Sequence, residues 1–87
     1  MRVTIASRVG KEFRKIPKFD QITIAQKIRS FTTERVSGEE KVSGFSRAYR
    51  VRVGSYRIVY QKYADGIDIV LISHRKDVYR LLKELLR

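Results

Sequence analysis

The spacing of apolar residues in the first part of the chain predicts a strand followed by two helices. Residues 2–6 alternate between apolar and polar side chains and predict a short strand. Apolar residues at helical spacing then predict a helix over residues 8–16, capped by Ser7 and ended by Pro17. The same spacing resumes after Pro17 and predicts a second helix, so the two helices form a hairpin.

The second helix and the segment after it differ in composition. We expect Asp20 to cap this helix, which continues to about residue 35. Residues 36–47 are rich in Ser and Gly and predict a loop. This loop separates the helical half of the chain from a half with the composition of strands.

Two short turn signals divide the next part of the chain into three strands. Residues 49–53 and 56–63 are rich in aromatic and β-branched side chains, and the pair Gly54-Ser55 between them is typical of a two-residue hairpin turn. The pair Asp65-Gly66 gives a second turn signal before residues 67–73. Three consecutive antiparallel strands are therefore predicted.

The complete order of elements defines the fold class. Helical spacing returns beyond Asp77 and predicts a short C-terminal helix. We expect an α+β fold with an N-terminal strand, a helical hairpin, a three-stranded antiparallel meander and this last helix, with the helices packed on one face of the sheet. A chain of 87 residues predicts a single domain over residues 1–87. The other sheet face is then available for function.

The charge of the chain indicates a polyanionic partner. Twenty Lys and Arg stand against nine Asp and Glu, a formal net charge of +11, and nucleic acid is the leading candidate. No acidic residue occurs between Lys41 and Ala64. The basic residues of that stretch are Lys41, Arg47, Arg50, Arg52, Arg57 and Lys62. A solvated basic face without function is the alternative explanation.

Several functional classes lack the residues they need. The longest apolar run, residues 69–72, is too short to cross a bilayer, so a soluble cytoplasmic protein is expected. The sequence has no cysteine, no Gly-rich phosphate loop, no paired histidines and no close acidic cluster. We therefore expect neither a metal nor another cofactor.

The turn at residues 54–55 sets the register of the first hairpin. Arg52 then faces Arg57, and Arg50 shares their face. The second turn, treated the same way, places His74 opposite Arg57. Facing arginines disfavour a sheet by a few tenths of a kcal/mol, which suggests a bound anion. The planar guanidinium binds phosphate oxygens in pairs and stays charged.

This arrangement suits RNA cleavage by attack of the ribose 2′-hydroxyl on the adjacent phosphate. Such a reaction needs a proton acceptor, cations and a donor for the leaving oxygen. Histidine as a residue type titrates near neutrality, so His74 could serve as acid or base, although a lone histidine is often structural. Arg75 and Tyr79 follow closely in sequence. Tyr79 could stack on a base or pack as an ordinary helix residue.

Two segments together resemble the RelE branch of the RelE/ParE toxin superfamily. They are YRVRVGSYRIVY at residues 49–60 and ISHRKDVY at residues 72–79. The order of elements along nearly the whole chain is also similar to that family. The resemblance implies a toxin that a cognate antitoxin holds inactive and that, once released, enters the ribosomal A site and cuts messenger RNA.

The resemblance also implies roles for individual residues. Arg50 and Arg52 match strand positions that are often lysine in the family, Arg57 matches its hairpin arginine, and Tyr79 matches its terminal tyrosine. RelE has another arginine slightly earlier in the last motif, where this chain has Ser73, His74 and Arg75, so the acid and base stay unassigned. The predicted catalytic residues are Arg57, His74, Tyr79 and Arg52. The predicted RNA-binding residues are Arg50, Arg52, Arg75, Arg47 and Lys41.

Three rival functions share the same fold. A ParE-like toxin would bind DNA gyrase and perform no chemistry. A nucleic-acid-binding protein without toxicity would show salt-dependent affinity and no product. An inactive relative would be retained for antitoxin binding, and an acidic antitoxin helix could cover the basic face.

Overall fold

The computed structural model describes residues 2–31 and 36–85 and confirms the α+β class. The predicted helical hairpin, meander and C-terminal helix are all present. One additional two-residue strand lies inside the predicted loop. The elements in chain order are β1 Arg2–Ile5, α1 Ser7–Arg14, α2 Lys18–Ser30, β2 Glu40–Lys41, β3 Ala48–Val53, β4 Tyr56–Tyr63, β5 Gly66–His74 and α3 Val78–Leu85.

The five strands form one sheet in the order β1-β5-β4-β3-β2. The three central strands are the predicted antiparallel meander, and β1 joins its edge parallel to β5. At the opposite edge β2 pairs antiparallel with β3, with Glu40 opposite Arg50 and Lys41 opposite Tyr49. The predicted loop over residues 36–47 therefore contributes a strand, because its backbone groups can pair with the free edge of β3.

Helices α1 and α2 cover one face of the sheet, which we call the helix-covered face. Its buried core combines apolar residues of both helices with apolar residues of β3, β4 and β5. The largest fully buried members include Ile24 and Phe31 of the helical region and Ile58, Tyr60 and Ile69 of the sheet. Their burial supplies most of the apolar contact that holds the helical hairpin on the sheet.

The predicted helix caps are wrong. Ala6 occupies the cap position of α1, and Pro17 occupies that of α2, neither with a side-chain hydrogen bond. Asp20 lies within the first turn of α2, where its carboxylate still stabilises the helix dipole. The bend is closed instead by Gln21, whose side-chain amide donates to the Ile16 carbonyl at 2.8 Å. Helix α2 ends at Ser30, and residues 32–35 of the predicted helix lie outside the described residues.

Helix α3 packs on the face opposite α1 and α2, contrary to the prediction that all helices share one face. Its residues Val78 and Leu82 join a second buried cluster with Val59 and Leu71 of the sheet. The sheet is apolar on both sides at its centre, so both sides need cover. None of the described helices is long and apolar enough to cross a membrane.

The predicted register of the second hairpin is also wrong. The chain turns at residues 64–65, so that Tyr63 pairs with Gly66, and a bulge follows within β5. Tyr60 pairs with Ile69 and Val59 with Leu71, which leaves Val70 as the extra residue. The bulge carbonyl of Val70 accepts a hydrogen bond from the guanidinium of Arg8 in α1. The hydrogen bond from Arg8 thus satisfies the backbone carbonyl of a bulge that the local sequence pattern does not predict.

Candidate functional site

Three arginines lie on the sheet face opposite α1 and α2, which we call the arginine face. Arg52 on β3 pairs directly with Arg57 on β4, as the turn predicted, and Arg50 lies two residues before Arg52 on the same side. Gly54 makes this short turn possible because its φ is +59°, a conformation that glycine adopts without strain. The first hairpin therefore gathers three positive charges as the sequence predicted.

Arg57 lies among the positive charges of other arginines. Partial burial lowers the pKa of its guanidinium, and the neighbouring charges of Arg52, Arg50 and Arg75 lower it further. Arg75 is brought close because its backbone N–H donates to the Ser55 carbonyl at 2.8 Å. The end of β5 thus adds a fourth arginine to the turn region. An anion bound here would relieve this repulsion.

Two guanidinium nitrogens of the cluster lack hydrogen-bond partners. Nε of Arg50 and Nη1 of Arg57 are shielded from solvent, and neither has a hydrogen bond within the described part of the chain. A shielded charged donor without an acceptor costs on the order of 1–3 kcal/mol or more. Phosphate oxygens accept hydrogen bonds from arginine in a suitable geometry. These two atoms therefore mark where an anion would be stabilised.

Arg50 lies between the carboxylate of Glu40 and the phenol ring of Tyr79. Its Nε is 3.6 Å from Oε1 of Glu40, and its Cζ lies 5.2 Å from the ring centroid of Tyr79. Tyr79 is in the first turn of α3 and is about half exposed. The predicted site tyrosine is thus placed beside the arginine cluster. Arg50 itself is held from both sides, which orients its guanidinium.

Glu40 is a site residue that the sequence did not reveal. It reaches the arginine face only because the two residues of β2 pair with β3, directly opposite Arg50. Its negative charge opposes the lowering of the Arg57 pKa that burial and the neighbouring arginines cause. Glu40 therefore interacts with Arg57 as well as with Arg50. A two-residue strand inside a Ser- and Gly-rich segment leaves no periodic signal. Only the pairing of the edge shows where this carboxylate lies.

The structure places His74 away from the arginine face and so contradicts its predicted position. The bulge in β5 pairs Arg57 with Ser73 and moves His74 opposite Tyr56, on the helix-covered side. The ring centroids of His74 and Tyr56 are 5.7 Å apart in an edge-to-face arrangement. Nδ1 of His74 accepts a hydrogen bond from the backbone N–H of Lys76 at 3.2 Å. These contacts describe a packed strand-end residue.

Two other predicted RNA-binding residues lie outside the cluster. Lys41 pairs with Tyr49 and therefore points to the side of the sheet opposite Arg50. Arg47 precedes β3 at the far end of the sheet, where its guanidinium lies 5.8 Å from the centroid of the Tyr63 ring. Among residues 2–31 and 36–85, no group of three or more His, Asp or Glu residues is placed to hold a metal ion.

The part of the chain that carries the arginine face matches a known protein family. The family model described as "ParE toxin of type II toxin-antitoxin system, parDE" matches residues 3–79, most of the chain. The chain belongs to this ParE toxin family. The match runs from β1 to the first turn of α3 and so includes the arginine face and Tyr79. It confirms the predicted membership of the RelE/ParE superfamily.

A relative and two solved structures are also similar to this chain. Toxin RelE3 of Methanocaldococcus jannaschii is 40% identical over 40 residues, and the aligned part spans 46% of this chain and 46% of that relative, about half of its length. The RelB-RelE antitoxin-toxin complex from Methanococcus jannaschii contains a chain with a TM-score of 0.77 and 24% identity, covering 90% of this chain and 96% of that one. A mutant of E. coli toxin RelE in the free state has a TM-score of 0.72 and 19% identity, with coverage of 95% and 90%. The structural likenesses show a shared fold.

Proposed function

We propose that this chain is the toxin of a toxin-antitoxin pair and that it cleaves messenger RNA in the ribosomal A site. The observation that carries the proposal is the arginine face, where shielded guanidinium nitrogens of Arg50 and Arg57 lack partners beside the carboxylate of Glu40. Membership of the ParE toxin family and the relative named toxin RelE3 support the toxin function. The cytoplasm, where ribosomes act, is the proposed location.

The proposed reaction uses the RNA's own 2′-hydroxyl as the nucleophile. Its oxygen forms a bond to the adjacent phosphorus, and the bond from phosphorus to the 5′-oxygen of the next nucleotide breaks. The products are a 2′,3′-cyclic phosphate and a 5′-hydroxyl end, so one proton moves from the nucleophile to the leaving oxygen. The site must supply an acceptor, a donor and positive charge for the crowded phosphate. No step in this balance requires a metal or another cofactor.

The arginine face can provide each of these groups. Arg57 and Arg52 would bind the phosphate oxygens, with Arg75 adding charge at the turn. Glu40 would accept the proton of the 2′-hydroxyl, and Tyr79 would donate its phenolic proton to the leaving oxygen. Both flank the guanidinium of Arg50, which would stabilise the negative charge that forms on the tyrosine. His74 has no direct part in this assignment because it lies across the sheet.

A cognate antitoxin is the proposed protein partner. The net charge of +11 and the surplus of arginine over carboxylate on the arginine face favour an acidic partner segment. An apolar cleft of about 280 Å³ between α1, α2 and the sheet could also receive apolar side chains from that partner. Its lining includes Val9, Phe13 and Ile28. Such a partner would stabilise the small domain and cover its active face together, as a toxin-antitoxin hetero-oligomer.

Binding of DNA gyrase without chemistry is the second candidate function. The specific observation in its favour is that the matching family model is that of the ParE toxin. A basic face without turnover would also fit a nucleic-acid-binding or antitoxin-binding relative. None of these functions yields cut RNA, which distinguishes them from the proposed one.

Primer extension on a defined messenger programmed into ribosomes tests the proposal. Wild type is compared with Arg57→Ala and with Arg14→Ala. The second variant removes one positive charge from an exposed position on α1. A ribosome-free sample is included. Ribosome-dependent cuts by wild type and Arg14→Ala, but not by Arg57→Ala, are expected. If folded wild type makes no cuts and inhibits DNA supercoiling by gyrase, the second candidate replaces the first.

A further inference from the structure

A second group of polar and aromatic residues lies on the arginine face at the end remote from the arginine cluster. Side chains alternate along β4, so Tyr63 shares the face of Arg57. The six residue steps from Arg57 to Tyr63 correspond to about 20 Å of strand. Helix α3 covers the middle of this face through Val59. The two ends are therefore separate surfaces on one side of the sheet.

Tyr63 presents an aromatic ring that is 46% exposed and supported by a cation. The Cζ atom of Arg47 lies 5.8 Å from the ring centroid. The backbone of Arg47 has a φ of +59°, and its carbonyl accepts a hydrogen bond from the Lys62 N–H at 3.0 Å. This bond holds Arg47 against the end of β4. An exposed ring of this kind is the usual platform for an unpaired nucleobase.

Tyr63 also lines an open polar cleft of about 240 Å³ formed by β1, β5 and the turn that precedes β5. Gly66 allows β1 to approach closely, because a Cβ at this position would lie 2.0 Å from the Arg2 carbonyl oxygen. The side chain of Arg2 binds Asp65 at 2.7 Å, and Thr4 donates to Asp68 at 2.9 Å. These bonds fix both carboxylates at the edge of the cleft.

The local charge of the cleft distinguishes it from the arginine cluster. Arg2 and Arg47 are balanced by Asp65 and Asp68, so this end of the face has no surplus positive charge to bind a phosphate. Asp65 accepts the hydrogen bond from Arg2 through Oδ2, and Asp68 accepts the hydrogen bond from Thr4 through Oδ1. Carboxylates accept hydrogen bonds from exocyclic amines such as N4 of cytosine. The chemistry of the cleft thus fits a neutral ring with amine donors.

We propose that Tyr63 and this cleft form a nucleobase site that prefers a base with an exocyclic amine over uracil. The base stacks on the Tyr63 ring, and Asp68 or Asp65 accepts hydrogen bonds from its amine. The inference rests on the proposed function in taking RNA as the natural ligand. It adds a contact several nucleotides from the scissile phosphate, which would hold single-stranded RNA at two points on the arginine face.

Nuclear magnetic resonance with nucleosides tests this site without cleavage or ribosomes. Cytidine and uridine, which carry no phosphate, are titrated separately into wild type, and inorganic phosphate is titrated as the probe of the arginine cluster. The variants are Tyr63→Leu, Tyr63→Phe and Phe19→Leu. Phe19 is an exposed aromatic residue on α2 and serves as the matched control.

We expect cytidine to shift the amide resonances of Tyr63, Asp68 and Thr4, with a Kd about fivefold lower than that of uridine. Tyr63→Leu should weaken cytidine binding by about fivefold or more, whereas Tyr63→Phe and Phe19→Leu should retain it. Phosphate should shift the amides near Arg57 instead. Equal cytidine binding by Tyr63→Leu and wild type, or no shift at these amides, would overturn the proposal. Either result leaves the primer-extension outcome untouched, so the two proposals fail independently.

Discussion

Glu39 and Glu40 are neighbours in sequence, but Glu39 contacts residues of the helix-covered face and Glu40 lies on the arginine face. Glu39 accepts a hydrogen bond from the hydroxyl of buried Tyr60 and forms an ion pair with Lys62 at 2.5 Å, and its side chain is 19% exposed. Glu40 is 68% exposed and lies 3.6 Å from Arg50, beyond hydrogen-bond length. One carboxylate is matched by its partners, and the other faces a surplus of positive charge.

The difference separates structural polar contacts from functional ones. On the helix-covered face, Lys62 also stacks on Tyr49, with its Nζ 4.2 Å from the ring centroid, so each charged group of this network has a partner. On the arginine face, Arg50 and Arg57 each have a shielded nitrogen without a hydrogen bond. Native proteins satisfy most shielded polar groups, and exceptions mark strain or a missing ligand. The incomplete face is therefore the one where function is expected.

Of the changes on either face, the removal of Arg57 should have the largest effect on the rate of RNA cleavage. Arg57→Ala is expected to lower the rate of RNA cleavage by about 1000-fold, in the range for loss of one charge-stabilising donor. Its unfolding midpoint in urea should stay the same or rise, because one of two facing arginines is gone. Single-turnover cleavage and urea titration of the same samples measure both. A large loss of stability would assign Arg57 to the structure instead.

Glu40→Gln should separate proton transfer from charge balance. The amide keeps the size of the side chain but no longer accepts a proton, so the cleavage rate should fall by about 100-fold. Affinity for an uncleavable RNA should increase, since a negative charge beside Arg50 is removed. Rate and affinity thus move in opposite directions. Weaker binding together with slower cleavage would contradict the assignment of Glu40 as the proton acceptor.

Glu39→Gln should affect stability and not chemistry. The change leaves the Tyr60 hydroxyl and the Lys62 ammonium without their carboxylate partner, and we expect a loss of about 1–3 kcal/mol in the free energy of unfolding. The rate of cleavage by the folded fraction should stay near that of wild type. Urea unfolding followed by circular dichroism measures the loss. The neighbouring Glu40→Gln variant is its matched control.

Tyr60 should make stability depend on alkaline pH. Burial, and then the hydrogen bond and charge of Glu39, raise the pKa of Tyr60 above its ordinary value of 10.0. Above about pH 10 the unfolded chain loses this proton while the folded chain retains it, so stability falls as pH rises. The slope from this group reaches about 1.4 kcal/mol per pH unit. Urea unfolding of wild type and Tyr60→Phe at increasing pH should show a shallower fall for the variant.

His74→Gln should have the smallest effect. Because His74 packs on Tyr56 across the sheet from Arg57, the cleavage rate should change by less than about twofold. The dependence of rate on pH near neutrality should also be unchanged. A rate profile over pH for both proteins is the measurement. A change in the shape of that profile in the variant would return His74 to the reaction.

The two hairpins show how far local pattern predicts this fold. The register of the first hairpin was predicted correctly because a two-residue turn with Gly54 leaves one arrangement of the flanking strands. The second hairpin has apolar residues at every position from 69 to 72, so its strand gives no alternation to follow. The extra residue there, Val70, is stabilised by Arg8 from a helix far away in sequence. That contact exists only in the folded chain.

The sequence by itself determined the α+β class, the helical hairpin, the first turn and the shared face of Arg50, Arg52 and Arg57. These features follow from short-range rules of periodicity and turn geometry. The tertiary structure alone decided that α3 crosses to the arginine face, that His74 leaves it and that Glu40 joins it. Each of these depends on a bulge, an edge pairing or the cover of a second apolar surface. Such choices are made by contacts between distant segments, and a single residue of slip reverses the face of every side chain that follows.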